Sequence, residues 1–223
     1  MKNILIVSCT QQGDKEDTLL YQSLQVLDCK HIRYMFHCNN DVGLSQKYNI
    51  YLTKRYAEEY DIIAFVHDDV WIDDNLLHRK LYEAALHYKY DIIGLAGTLN
   101  PEIKHPALWH IMGKKSDYRG YAGHYASHNQ KIMTGFGPTP DRVAIVDGLF
   151  VAVNLKRALE TGWRWNENFD FHHYDIASCL DANKCKMKVG VYPINVFHKS
   201  PGLMSLDDEK WSKSNQKFLQ LYS

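Results

Sequence analysis

His67, Asp68 and Asp69 follow directly on the apolar run Ile62-Ile63-Ala64-Phe65-Val66, and no other segment is as well placed to do chemistry. A short continuous apolar run reads as a strand covered on both faces, and in an open parallel sheet ligands collect just beyond the carboxyl ends of such strands. Adjacent carboxylates repel unless hydrogen bonds, a proton or a cation stabilise them. Asp68 and Asp69 therefore suit a Mg²⁺ or Mn²⁺ ion that bridges a diphosphate. The plainer reading is that one of them caps the following turn while Asp73 and Asp74 cap the next helix. His67 and Trp71, around the same acidic point, favour the ion.

A lone cation needs further donors. His198 closes the extended run Ile194 to Phe197; if that strand end meets the Asp69 loop, it adds an imidazole nitrogen, with Lys199 beside it to offset phosphate charge. A turn or core histidine is the alternative. In Val146-Asp147-Gly148-Leu149-Phe150, Gly148 permits close backbone approach and Asp147 suits a sugar hydroxyl, or the pair forms a bulge with Asp147 satisfied by backbone donors. Asp175 follows the cluster Asp170 to Tyr174 and sits in the first turn of a helix, facing a pocket or serving as that helix's negative cap. Trp109, Tyr118, Tyr121, Tyr125 and Trp165, with His124 and His128 as polar edges, offer carbohydrate platforms or pack an irregular lid.

These groups need a scaffold, and the hydrophobic periods supply one. Ile4 to Val7 reads as a buried strand, Leu19 to Leu27 as a helix, and His31 to Phe36 as a second strand before the Asn39-Asn40-Asp41 turn. A helical face runs from Leu44 to Tyr60, ahead of the Ile62 strand. Leu76 to Ala85 forms a helix and Ile92 to Ala96 a further strand. Strands alternating with helices argue for an α/β sheet with right-handed crossovers. From Thr98 to Arg142 the rhythm breaks into prolines, glycines and aromatics, the mark of small strands and functional loops. Regular structure returns at Ala144 to Val153, then helices at Leu155 to Thr161 and Tyr174 to Lys184. Late strands follow at Val189 to Val191 and Ile194 to Phe197, with Pro193 marking an edge, bend or strand end. Ser205 to Asp208 has capping-box spacing before a terminal helix docked by Trp211, Phe218 and Leu221.

Composition excludes several classes of function. The chain has 223 residues, enough for one large domain over 1–223, and 26 Lys and Arg balance 26 Asp and Glu. A formally neutral chain carries no overall field for nucleic acid or anionic membrane. Apolar residues at 45% and charged residues at 23% exclude global disorder. No run is long enough to span a bilayer, and Met1 to Ser8 is too short for a signal-peptide core. The cysteines Cys9, Cys29, Cys38, Cys179 and Cys185 are odd in number and lack C-x-x-C spacing, which suits a reducing compartment, with Cys179 and Cys185 as core thiols. The first strand has no G-x-G-x-x-G after it, which disfavours a dinucleotide oxidoreductase.

Taken in order, His67-Asp68-Asp69, Gly43 to Asn49, Val146 to Phe150, Tyr174 to Leu180 and His198-Lys199-Ser200 resemble the motifs of nucleotide-sugar-dependent glycosyltransferases of the GT-A fold. His67-Asp68-Asp69 resembles their D-x-D motif with His at its first position, which leaves the role of His67 open. The resemblance extends from Ile4 to about Gly202. It implies a GT-A fold of α/β class, a mostly parallel Rossmann-like sheet with an integrated mixed second half. Residues 1–100 would be mainly nucleotide-binding, 101–204 mainly sugar- and acceptor-binding, and 205–223 a terminal helix.

The same resemblance implies Asp69 and His198 as ligands of Mn²⁺, or else Mg²⁺, and Asp68 as a ribose contact or shaper of the metal loop. Ser8 and Thr10 would lie at the uracil rim. Asn49 would belong to the donor site, or fasten a neighbouring loop. Asp147 and Gly148 would meet the donor sugar and Lys199 the phosphates. Asp175 would be the general base of an inverting enzyme, or an acceptor or oxocarbenium contact in a retaining one. More closely, the chain resembles the amino-terminal glycosyltransferase domain of a large chlorella-virus glycosylation protein. That implies hexosyl or deoxyhexosyl transfer from a UDP-sugar to a carbohydrate acceptor such as a viral glycan, in the host cytoplasm, with further domains in a longer polypeptide. The competing reading is a noncatalytic nucleotide-sugar or glycan-binding module.

Overall fold

Ile4 and Ile6 pack into one hydrophobic cluster and Leu5 and Val7 into another, and all four are buried. Alternate residues of a strand point to opposite faces, so this strand must be covered on both sides, which is why its sequence shows no polar face. The computed structural model describes residues 1–28, 30–126, 130–199 and 209–223. Cys29, His128 and the Ser205 to Asp208 capping box lie outside the described residues.

The first half contains β1 (Asn3–Cys9), α1 (Leu19–Val26), β2 (Ile32–His37), α2 (Leu44–Asn49), α3 (Lys54–Glu59), β3 (Tyr60–Val66), β4 (Val70–Ile72), α4 (Leu77–Leu86), β5 (Ile92–Gly94) and β6 (Ala96–Thr98). Next come α5 (Trp109–Met112), β7 (Tyr118–Tyr125), β8 (Lys131–Gly137), β9 (Asp141–Arg142), β10 (Ile145–Val146) and β11 (Phe150–Asn154). The chain ends with α6 (Leu155–Thr161), α7 (Tyr174–Lys184), β12 (Val189–Val191), β13 (Val196–His198) and α8 (Glu209–Tyr222).

A seven-stranded sheet has the order β2-β1-β3-β11-β5-β12-β9. Strand β1 is parallel to β2 and β3, while β11 runs antiparallel to both β3 and β5, and β12 is parallel to β5. Strands β2, β1, β3, β5 and β12 therefore point the same way, and their carboxyl ends share one rim with the start of reversed β11. The α/β class with a parallel first half and a mixed second half is what forms. The reversed strand is the part that apolar runs could not reveal, because period-two patterning carries no direction.

A second sheet of six strands runs β10-β6-β7-β13-β4, with β8 on the flank of β7. It accounts for the irregular stretch between Thr98 and Arg142, much of which is the β7–β8 hairpin. Two boundaries differ from expectation. Ile92 to Ala96 is two short strands, β5 in the first sheet and β6 in the second, parted at Leu95. The helical face from Leu44 to Tyr60 breaks into α2 and α3 because Thr53 starts a new helix, its hydroxyl accepting from the Tyr56 amide at 3.5 Å. Among the described residues no helix is long and apolar enough to cross a membrane. Cys9, Cys38, Cys179 and Cys185 are free thiols; Cys179 is buried and Cys185 half-buried.

Candidate metal centre and adjoining cleft

The apolar side chains of β3 are held on both faces, and its carboxyl end delivers His67, Asp68 and Asp69 into a tight turn before β4. His67 is anchored just ahead of reversed β11, its amide donating to the Leu149 carbonyl at 3.0 Å. Strand β4 then pairs antiparallel with β13, Val70 opposite His198. That register brings the late histidine to the acidic turn. His198 Nε2 lies 3.0 Å from Asp69 Oδ1, and the Lys199 amide donates to the Asp69 carbonyl at 2.9 Å.

His67 completes the group. One ligand atom from each of His67, Asp69 and His198 lies within 4.8 Å of the others. Burial disfavours charge on His198, yet its hydrogen bond to Asp69 and the fields of Asp69, Asp147 and Asp68 outweigh that and raise its pKa. Burial also disfavours charge on Asp69, but the same hydrogen bond and the positive field of His198 leave its pKa lowered. Burial first, and then the neighbouring His198, lower the pKa of His67. The trio therefore offers one carboxylate, one imidazole shifted toward its neutral form and one imidazole whose protonated form Asp69 favours, so that a cation competes there with a proton.

His67 is oriented from behind. The Tyr174 hydroxyl donates to the Gly148 carbonyl at 2.8 Å, and His67 Nε2 lies 3.1 Å from the same oxygen. With the hydroxyl proton spent on Gly148, His67 Nε2–H is the donor to Tyr174, and Nδ1 keeps the lone pair. This role for His67 was left open by the sequence, and a histidine in the first place of an acidic motif is the signal for it.

Asp68 and Asp69 divide their work. Asp68 Oδ2 accepts from Thr10 Oγ1 at 2.5 Å and faces the cleft, while Asp69 turns to His198. The cleft measures about 1030 Å³ and is walled by Cys9 to Gln12, Asn40 to Leu44, the Asn168 to His172 loop and the exposed face of α8. Phe171, on its wall, stacks against His67 with ring centroids 5.9 Å apart, so cleft and metal candidates adjoin. Gly43 lets the loop close in: a Cβ there would sit 2.5 Å from Asp170 Oδ1.

Asp175 enters through His173, a buried residue in the left-handed region (φ 64°) that turns the chain into α7. Burial, and then the charge of Asp147, push the Asp175 carboxyl up to about 7, against hydrogen bonds from the backbone at Ile176 and Gly148. Gly148 is required here by the protein's own groups. A Cβ on it would lie 2.7 Å from the Tyr174 hydroxyl and 2.9 Å from Asp175 Oδ2.

The other expected contacts divide between groups the fold already uses and groups it leaves open. Ser8 is fully buried beneath the rim and absent from the cleft wall, because its place on β1 aims it into the core; Thr10 reaches the rim. The Asn49 amide fastens the Trp165 loop, donating to Trp165 O at 3.0 Å and Glu167 Oε1 at 2.7 Å and accepting from the Trp165 amide at 2.9 Å. Asp147 Oδ1 accepts from the Leu149 amide at 3.1 Å. Lys199 is exposed beside His198. Trp109, Tyr118 and Trp165 are core residues at 3%, 5% and 2% exposure, which removes them as sugar platforms; Tyr121 and Tyr125 stay partly open.

The family described as "Glycosyltransferase like family" matches residues 21–222. A197 from STIV superposes with a TM-score of 0.56 at 16% identity, covering 89% of this chain and 86% of that one. S. aureus TarS 1-349 gives a TM-score of 0.52 at 10% identity, covering 97% of this chain and 64% of that one. TarS 1-349 in complex with UDP gives 0.55 at 11% identity, covering 99% of this chain and 65% of that one. No curated protein matches the chain in sequence.

Proposed function

This chain belongs to the glycosyltransferase-like family, and we propose from that membership that it transfers a sugar from a UDP-sugar to a carbohydrate acceptor with the help of a divalent cation. The observation that carries the proposal is the meeting of His67, Asp69 and His198 beside a nucleotide-sized cleft at one sheet rim. That TarS, a fold neighbour, was crystallised with UDP supports uridine as the nucleotide. Two imidazoles and one carboxylate are softer than the all-oxygen sets preferred by Mg²⁺, so Mn²⁺ suits this trio better. Bound there, the ion would neutralise the departing diphosphate.

The protein's own groups do the rest. Thr10 and Asp68 hold the ribose side of the cleft, and Asp147 offers its carboxylate to the donor sugar. Asp175 takes the acceptor hydroxyl's proton; a carboxyl poised near neutrality is suited to general-base work at physiological pH. The acceptor proposed is a carbohydrate, viral glycans included, with Tyr121 and Tyr125 as its remaining aromatic contacts. The unit proposed to act is the whole of residues 1–223, because β3 to β4 and β5 to β6 each step from one sheet to the other.

A panel of UDP-hexoses and UDP-deoxyhexoses, assayed for hydrolysis and transfer with Mn²⁺, Mg²⁺ and chelator, tests this reading. Turnover that needs Mn²⁺ and disappears in Asp69→Asn is the expected result. Metal-dependent UDP binding without turnover on any donor points instead to the binding-module reading, and no UDP binding in any metal sinks both.

A further inference from the structure

Helix α8 presents Lys210, Lys213 and Lys217 along one side, at helical spacing, and all three line the cleft opposite Thr10 and Asp68. The sequence predicts only that this helix docks, and its docking is what aims the lysines. Phe218 is fully buried against Phe169, ring centroids 6.1 Å apart. Ser214 Oγ donates to the His172 carbonyl at 2.8 Å and lies 2.9 Å from His173 Nδ1. Tyr222 donates to Asp181 at 2.8 Å, with Lys184 over its ring at 4.4 Å. A helix held at Ser214, Phe218 and Tyr222 cannot roll, so its lysines stay on the cleft side.

Asp41, Asp68 and Asp170 line the same cleft. None of those carboxylates forms an ion pair with Lys213 or Lys217; Lys213 pairs with Glu209 on its own helix at 2.5 Å, in an exposed position. An exposed pair of this kind is weak and readily exchanged for a stronger anion. Phosphate oxygens are such an anion, and lysine meets them as a mobile point charge without needing a fixed fork.

We propose that Lys213 and Lys217 of α8 bind the phosphates of the nucleotide diphosphate, so that the terminal helix forms a phosphate-binding wall of the cleft across from the metal turn. This rests on the UDP-sugar reading of the cleft. It assigns a ligand to a helix that none of the expected motifs includes. The metal trio and the lysines then hold the diphosphate from two sides, with the uridine between the β1 end and the Asn40 to Leu44 loop.

The test is equilibrium binding of UDP and of uridine, each with Mn²⁺, to the full chain and to the Lys213→Gln/Lys217→Gln variant, at low and moderate salt. The expected result is a UDP affinity lowered by about tenfold or more in the variant, a flatter salt dependence, and unchanged uridine affinity. Unchanged UDP affinity overturns the proposal. Equal losses for UDP and uridine also overturn it, since they make α8 a structural cover. Failure of the unmodified chain to bind UDP defeats the parent reading instead, and with it this inference. A circular dichroism melt of the variant matching the unmodified chain confirms that the comparison concerns binding.

Discussion

His198 Nε2 sits 3.0 Å from Asp69 Oδ1 because β13 lies antiparallel to β4 with His198 opposite Val70. Strand register, not the local loop, sets this distance. A cation between them must displace the proton that Asp69 stabilises on His198, whose pKa is raised. Mn²⁺ affinity is therefore expected to fall as pH drops below the His198 pKa, by about tenfold per unit while one proton is exchanged, and to level off above it. Titrations of Mn²⁺ followed by electron paramagnetic resonance, in half-unit steps from about pH 5.5 to about pH 8.5, check this; a flat profile removes His198 from the coordination sphere.

Removing a ligand is a sharper intervention. Asp69→Asn and His198→Ala are each expected to weaken Mn²⁺ binding by more than about 100-fold, beyond the roughly 10–100-fold cost of losing an outer partner. Tyr174→Phe belongs to that outer class, because it deletes the hydroxyl that meets His67 Nε2 at 3.1 Å. Measured in one assay, both ligand variants should lose more affinity than Tyr174→Phe, and a Tyr174→Phe loss as large as that of Asp69→Asn contradicts the assignment.

Asp175 should show opposite effects on activity and stability. Folded, its carboxyl keeps its proton to about pH 7, whereas in the unfolded chain it ionises near 3.8. The unfolded state thus sheds the proton first, and the native state loses stability as pH rises from the lower value to the higher; above both, the penalty is constant. Asp175→Asn at pH 8 should therefore stabilise the fold by about 1–3 kcal/mol, less than the full linkage value because the side chain keeps some solvent. The same variant should cut transfer by roughly 10²–10⁴-fold and abolish the rise in rate through pH 7. Urea melts and pH–rate profiles of the pair supply both readouts, and an unchanged rate removes Asp175 as base.

What the sequence made legible was whatever lies within one strand or turn. The apolar run ending at His67-Asp68-Asp69 located the rim, and Asp69 with His198 could be paired as candidates on chemistry alone. Direction and facing were not legible. Nothing in Phe150 to Asn154 says that this strand runs against its neighbours, yet that reversal puts Phe150 opposite Val66 and the Leu149 carbonyl on the His67 amide, with Asp147 and Gly148 just before them in the chain. Asn49 and Ser8 went the other way: their types suit a nucleotide, but the fold spends Asn49 on the Trp165 loop and buries Ser8. The lysine face of α8 went unread, because only the docking of Phe218 decides which side of that helix meets the cleft.

Gly148 carries a backbone prediction. With a Cβ there only 2.7 Å from the Tyr174 hydroxyl and 3.0 Å from Asp175 Cβ, Gly148→Ala must push back the start of α7. The expected cost is about 1–3 kcal/mol of stability, the usual range for overpacking. Transfer should fall further than stability alone explains, because both Asp175 and the group that orients His67 are displaced. Adding Tyr174→Phe relieves the shorter contact and should recover part of the lost stability without recovering activity.

Phe218 tests how the terminal helix belongs to the cleft. It is fully buried and its ring lies 4.7 Å from Tyr222 and 5.7 Å from His173. Phe218→Ala removes a large core side chain, with an expected cost of about 3–5 kcal/mol if the helix stays docked. If α8 instead releases as a unit, the loss is capped at the helix's own docking energy, and amide exchange along residues 209–222 rises while β1 and β3 stay protected. Hydrogen exchange with and without UDP and Mn²⁺ separates the two, and added nucleotide should slow exchange in α8 of the unmodified chain if the lysine face holds its phosphates. Protection by nucleotide confined to the β1 and β3 ends, with α8 unaffected, leaves the helix outside the binding site.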